Sequence, residues 1–246
     1  AVSVTCYPDR STAYPGQNVN WQVNSVSGGD GVYTYSWTGS DSLSCSGQPS
    51  ASCSTATKPY STTGNKIATV TANSGGLSAT NDCSSSVNVG ATADPAVTVS
   101  AANTTIGYNG DASITWSSTN ASSCAVSPTG WSGTSGTRTD QNLTTSKTYR
   151  VTCNGVNEKS GTQVSNEVRV KVTPTATCSV SPTSVAVGSS VTWKTDSVNG
   201  GSGTYVYSWS GDESLSGATQ NVSKSYTSAG GKNGTVTVTS DGLTAT

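Results

Sequence analysis

The sequence predicts an all-β protein, an elongated tandem array of three small β-sandwiches. Three observations carry this. Apolar residues alternate with polar ones over short runs, tryptophans recur at fixed spacings, and no segment sustains the apolar period of a helix. A period of two marks a strand with one face buried, because successive side chains leave a strand on opposite sides.

The elements follow in order. Val2, Val4 and Cys6 alternate, as do Val19, Trp21 and Val23, then Tyr33, Tyr35 and Trp37, and later Val87 and Val89. Clusters of Gly, Asn, Pro and Ser separate these runs, the pattern of a small antiparallel sandwich. The stretch "CYPDRSTAYPGQNVNWQVNSVSGGDGVYTYSWTGSDSLS" then aligns without a gap with "CSVSPTSVAVGSSVTWKTDSVNGGSGTYVYSWSGDESLS". Trp21 stands 15 residues after Cys6, as Trp193 does after Cys178, and Trp37 stands 16 after Trp21, as Trp209 does after Trp193. Beyond the matched Leu43 and Leu215 the first copy carries six extra residues before Tyr60, the partner of Tyr226. Both copies then run in step to Thr80 and Thr246.

Between them lies a relative, in which Trp116 stands 19 residues after Val97, as Trp21 does after Val2. The seams "GATADP" and "TPTAT" are short and proline-bearing, which favours an extended string of domains. The expected boundaries are residues 1–92, 96–172 and 175–246, the third unit lacking the last strand that the first possesses.

Composition excludes several functions. Charged residues make up 10% of the 246, and the net charge is −1. No electrostatic footprint for nucleic acid results. No apolar run is long enough for a membrane-crossing helix, so neither nucleic acid nor membrane insertion is expected. The chain has no histidine. Ser–His–Asp and Cys–His nucleophiles are therefore ruled out, and no catalytic residue is expected. The glycine-rich "SGGDG" and "GGSG" lack a following helix and a GK[ST] signature, so they read as turns and not as phosphate cradles. No cofactor is implied. Asp41 in "GSDS" and Asp212 with Glu213 in "GDES" occupy matching loops, but they offer too few carboxylates for calcium. Lys58, Lys66, Lys224 and Lys232 read as exposed lysines at strand ends. Trp21, Trp116 and Trp193 read as core pins. Trp131 in "TGWSGTSG", flanked by Gly and Ser, is the candidate exposed contact.

The run "GGDGVYTYSWTGSDSLS" followed by "YSTTGNKIATVTANSGG" resembles PKD-like immunoglobulin-type domains. In place of that family's usual "WDFGDG" stand "SWTGSD" and "SWSGDE". The middle unit, with "ITWSSTNASSCAV", "GWSG" and "TYRVTCNG", is similar to Ig-like domains of bacterial surface proteins. The resemblance implies the sandwich fold, in a family found in adhesins, stalks, sheath proteins and enzyme appendages alike.

Seven cysteines without histidine, and without paired short spacings, argue for disulfides over zinc. First and last strands are neighbours in an Ig-type sandwich. The resemblance thus pairs Cys6, ending the first strand, with Cys83, at the start of the last. Cys45 and Cys53 lie inside the six-residue insertion and its surroundings, where a local bridge would staple the extra loop. Cys124 and Cys153 remain to each other in the middle unit. Cys178 is left at a junction, the expected place of its partner lying three residues beyond Thr246. Two readings stay open for that strand: continuation in a longer chain, or supply by a neighbouring molecule. Disulfides imply an oxidising, extracellular or cell-surface setting.

The expected function is a non-enzymatic structural one, in a subunit or segment of a bacterial surface stalk or filament, self-associating into a polymer or continuing in a longer chain. The rival is an adhesin or carbohydrate-binding appendage whose loops contact a glycan or host-surface ligand.

Overall fold

The structure, a computed structural model, describes residues 1–49 and 53–246. The chain divides into two compact units, Ala1–Asp94 with Val156–Gly161, and Pro95–Gly155 with Thr162–Thr246. Among the described residues the only helical pieces are the three-residue 3-10 turns Ser40–Ser42, Asn157–Lys159 and Asp212–Ser214. Among the described residues, no helix is long and apolar enough to cross a membrane.

In the first unit, Ser3–Pro8, Asn18–Ser27 and Thr55–Pro59 form one antiparallel sheet. Leu43–Pro49, Thr34–Gly39, Ala68–Ser74 and Leu77–Asp82 form the other. Inward residues of both meet in one core, with Val4, Val19, Trp21, Trp37 and Val70 buried. The alternation read from the sequence is what places them there. A third, shorter set closes the sandwich. Val87–Val89 runs parallel to Thr12–Ala13 on one side and antiparallel to Gly64–Lys66 on the other. Val87 and Val89 are buried in that slot.

Residues 96–172 repeat the scheme with a continuous closing strand. Ala96–Ala101, Gly110–Thr119 and Ser135–Leu143 make one sheet. Thr105–Ile106, Gln163–Val172, Lys147–Gly155, Ala121–Ser127 and Trp131–Ser132 make the other. Here the C-terminal end of Gln163–Val172 pairs in parallel with Thr105–Ile106 and buries Val170 and Val172.

Residues 175–246 rebuild the first unit's two main sheets: Thr175–Ser181, Ser190–Asn199 and Asn221–Ser225, then Leu215–Gly217, Val206–Gly211, Gly234–Ser240 and Leu243–Ala245. The correspondence extends to single hydrogen bonds. Trp21 donates its indole N–H to the Tyr60 hydroxyl at 3.0 Å, and Trp193 donates to Tyr226 at 3.0 Å. Trp37 donates to the Cys53 carbonyl at 2.7 Å, and Trp209 to the matching Thr219 carbonyl at 2.9 Å. Each buried indole N–H thereby keeps a partner, without which burial would carry a desolvation penalty.

The glycine-rich turns have a steric cause. Gly29 and Gly201 adopt φ of +71° and +66°, and a Cβ on either would stand 2.2 Å from the hydroxyl of Ser74 or Ser240. Left-handed backbone and a contact this close both require glycine. Gly201 also joins the second and third repeats within their common unit. Its N–H donates to the Val172 carbonyl at 2.9 Å, while its own carbonyl accepts from the Ser146 N–H at 2.7 Å. Beside this, Arg169 Nε and Nη2 both donate to Asp241 Oδ2, at 3.1 and 2.8 Å.

Two local expectations are corrected. The insertion of the first repeat is not simply an extra loop. It lengthens a strand, so that Leu43–Pro49 pairs along the full length of Thr34–Gly39, whereas Leu215–Gly217 pairs only with residues 209–211. The remainder of the insertion, residues 50–52, lies outside the described residues. Cys83 does not begin the last strand. It follows Leu77–Asp82 and precedes Val87–Val89, in the turn that carries the chain across the sandwich edge.

Candidate functional site

The candidate site is built from the covalent ties of the fold, its charge clusters and an open groove. Cys6 and Cys83 are bonded, with Cα atoms 4.6 Å apart, across 77 residues of sequence. The bridge links the first strand of one sheet to the turn leaving the edge of the other. The Ser84 N–H reinforces it by donating to the Cys6 carbonyl at 3.0 Å. Cys45 and Cys53 are bonded across eight residues, tying the lengthened strand back to the core beside Trp37. Cys124 and Cys153 lie directly opposite on neighbouring strands and are bonded, with Cα atoms 4.0 Å apart. Cys178, the counterpart of Cys6, is an exposed free thiol.

The matching "GSDS" and "GDES" loops do something sequence reading missed. Asp41 and Glu213 sit at φ of 54° and 49°, left-handed values uncommon for such residues. That backbone brings each carboxylate to a lysine. Lys66 Nζ lies 3.0 Å from Asp41 Oδ2 and 5.5 Å from the centroid of the Tyr60 ring. Lys232 Nζ lies 2.8 Å from Glu213 Oε1 and 5.5 Å from the Tyr226 ring centroid. Lys66 is buried, contrary to its reading as an exposed strand-end lysine. Its ammonium lies over the Tyr60 ring and against a carboxylate, which is how a charge is accommodated inside. The Thr62 hydroxyl, followed by Lys66, holds the Asp41 carboxyl below its ordinary range. Lys232, followed by Ser228 and Thr227, depresses Glu213 much further. These carboxylates are therefore committed to fastening loops. The doublet Asp212, Glu213 is split, Asp212 accepting instead from the Asn233 N–H at 2.7 Å.

The middle repeat uses aromatics for the same purpose. Trp131 stacks on Trp116 at 6.2 Å and 9°, and on Tyr149 at 6.4 Å and 7°. It is half-buried and packs against both of that repeat's apolar clusters. The expected exposed contact is thus engaged in packing beneath its loop. The Tyr149 hydroxyl donates to Asp140 Oδ2 at 2.8 Å, and burial together with that bond pushes its ionisation well above the ordinary tyrosine range.

The third repeat holds a groove of about 390 Å³ lined by Val185, Val187, Val191, Trp193, Tyr226 and Lys232 among others. Val185 and Val187 are 40% and 58% exposed. Val191, Trp193 and Tyr226 are 6–7% exposed, while the matching Val19, Trp21 and Tyr60 are at 0%. These three residues are each more open than their twins, and all three line the groove.

No family model matches the chain, and no curated protein does. Among solved structures it is similar to the N-terminal four Ig domains of Dscam1 isoform 8.4, at 12% identity and TM-score 0.40, over 98% of this chain and 71% of that one. It is similar to the Escherichia coli adhesin FdeC at 16% identity and TM-score 0.33, over 100% of this chain and 96% of that one. The fibronectin(III)-like modules of Clostridium thermocellum CbhA match at 17% identity and TM-score 0.33, over 70% and 95%. At such identities and scores none of them bears on what the chain does.

Proposed function

We propose that the chain is a load-bearing segment of an extracellular bacterial stalk or filament, its first repeat serving as a covalently clamped link. One observation carries this reading. Cys6 and Cys83, 77 positions apart in sequence, clamp the first repeat close to where the chain enters and leaves it. Tension along the array passes through that bond and bypasses the strands between. Disulfides persist outside the reducing cytosol, which supports the extracellular setting. Polymerisation, or continuation into further repeats, is the corresponding partner chemistry. The adhesin reading has no comparable observation, since Trp131, its best candidate contact, is engaged in packing.

Force spectroscopy on the oxidised and the reduced chain tests this. Stretching the oxidised array should not release the loop closed by Cys6 and Cys83. After reduction about 25 nm should appear, from 77 residues at roughly 3.3–3.6 Å each. Release of that length from the oxidised chain would show that the bridge carries no load. A native protein that stays monomeric and is retained on a glycan surface would favour the adhesin instead.

A further inference from the structure

We propose that the groove of the third repeat is an acceptor slot for one extended peptide strand of the pattern Cys-x-x-x-Val-x-Val. Such a strand would complete the third sandwich and bond to Cys178.

The chain itself shows what fits. In the first repeat the corresponding slot holds Val87–Val89. The Asn88 N–H donates to the Ser11 carbonyl at 2.9 Å, and the Gly90 N–H donates to the Ala13 carbonyl at 3.0 Å. In the middle repeat the closing strand does the same, Lys171 N–H to Thr104 and Thr173 N–H to Ile106, both at 2.8 Å. Both closing strands present valine, any residue, valine inward, and those valines are buried. The equivalents of Ser11 and Ala13 in the third repeat are Thr183 and Val185, on one wall of the groove. The equivalents of Gly64, Asn65 and Lys66 are Gly230, Gly231 and Lys232, on the other. Neither wall belongs to a strand, although both of their counterparts in the first repeat do.

The register of an incoming strand follows. It runs parallel to residues 183–185 and antiparallel to residues 230–232. It donates to the carbonyls of Thr183 and Val185 and seats its two valines over Val191, Trp193 and Tyr226. Strand addition of this kind draws affinity from main-chain bonds and selectivity from alternate side chains.

Cys178 is the second, separate observation. Its counterpart Cys6 bonds Cys83, which precedes Val87 by four residues. A strand seated in the groove in the same register brings a cysteine at that spacing to the exposed Cys178 thiol. Joining the two thiols removes two electrons and two protons, and a disulfide oxidant of the extracellular space accepts them as it is reduced to two thiols. Strand capture does not depend on the stalk reading, so the two can fail separately.

The test uses the full chain and a synthetic peptide of residues 81–90, supplied as its mixed disulfide with glutathione. The Cys178 thiolate attacks the peptide sulfur, the bond to glutathione breaks, and glutathione thiolate leaves and takes up a proton. Intact mass read over time should show the adduct on Cys178 forming at least ten-fold faster than with a V87S/V89S peptide. The advantage should vanish in a Val185→Asp chain, which alters an exposed position and leaves the core untouched. A Cys178→Ser chain should still bind the peptide non-covalently, with protection of the groove in hydrogen exchange. Equal rates for the two peptides, or indifference to Val185→Asp, would reduce the reaction to ordinary thiol exchange and overturn the proposal. A chain that instead buries Val185 and Val187 by pairing with a second copy, and excludes the peptide, would overturn it too.

Discussion

The indole N–H of Trp193 donates to the hydroxyl of Tyr226 at 3.0 Å, both residues being 7% exposed and lining the groove, whereas Trp21 and Tyr60, which make the same bond, are fully buried. One hydrogen bond in two degrees of burial makes the chain its own control. Tyr60→Phe leaves the Trp21 donor buried without a partner, at a cost of about 1–3 kcal/mol. Tyr226→Phe costs less, because water entering the groove can replace the lost hydroxyl. Amide hydrogen exchange of Val19 and Val191, which lie in the two cores, reads each repeat separately. Equal losses would contradict the difference in burial.

The bridges differ in the loop they close. The chain-entropy relation gives about 4–5 kcal/mol for the loop of 77 residues between Cys6 and Cys83 and about 2–3 for the loop of eight between Cys45 and Cys53. Replacing Cys6 and Cys83 together by serine should thus destabilise the first repeat more than replacing Cys45 and Cys53. Urea midpoints of the two double variants decide the order.

Acid should loosen the two main-sheet repeats at their lysine clusters. Asp41 and Glu213 both ionise below their ordinary values in the folded chain. Groups depressed in this way contribute stability that is present above the unfolded pKa, about 4 for carboxylates, and is lost as pH falls through the folded one. Stability should therefore decline below about pH 4 and continue to fall at lower pH, with a shallower slope in Glu213→Gln. A Glu213→Gln chain with an unchanged slope would mean that the carboxylate's bonds to Lys232, Ser228 and Thr227 contribute nothing.

Arg169 and Asp241 fasten the second repeat to the third, with side chains 42% and 18% exposed. Partly exposed pairs are worth little, about 0.2–1 kcal/mol. A double-mutant cycle of Arg169→Ala and Asp241→Ala should return a coupling in that range, reduced by salt. The first repeat carries Gly75 where the third carries Asp241, so the contact belongs to one junction and is not a property of the repeat.

The sequence made the strands legible wherever valine and tryptophan alternate, because burial of one face writes a period of two into the chain. It also marked Cys178 as the cysteine left without a disulfide partner. The short closing pieces were not legible. Thr12–Ala13 and Thr105–Ile106 are two residues long, with no alternation to detect, and exist only because a distant valine strand lies beside them. Burial of Lys66 was likewise hidden, since a lysine at a strand end looks solvated until a carboxylate held at positive φ is placed opposite it. The role of Trp131 depends on Trp116 and Tyr149, which are distant in sequence and meet it only in the folded sheet.

The most direct measurement is a thiol map of the oxidised chain of residues 1–246. The folded protein is alkylated in native buffer, reduced, alkylated with a second reagent, and digested for peptide mass. The first label should appear on Cys178 alone, and the second on Cys6, Cys83, Cys45, Cys53, Cys124 and Cys153. First label on Cys6 or Cys83, or a Cys178 already bonded to one of them, would contradict the clamped first repeat and the open third one together.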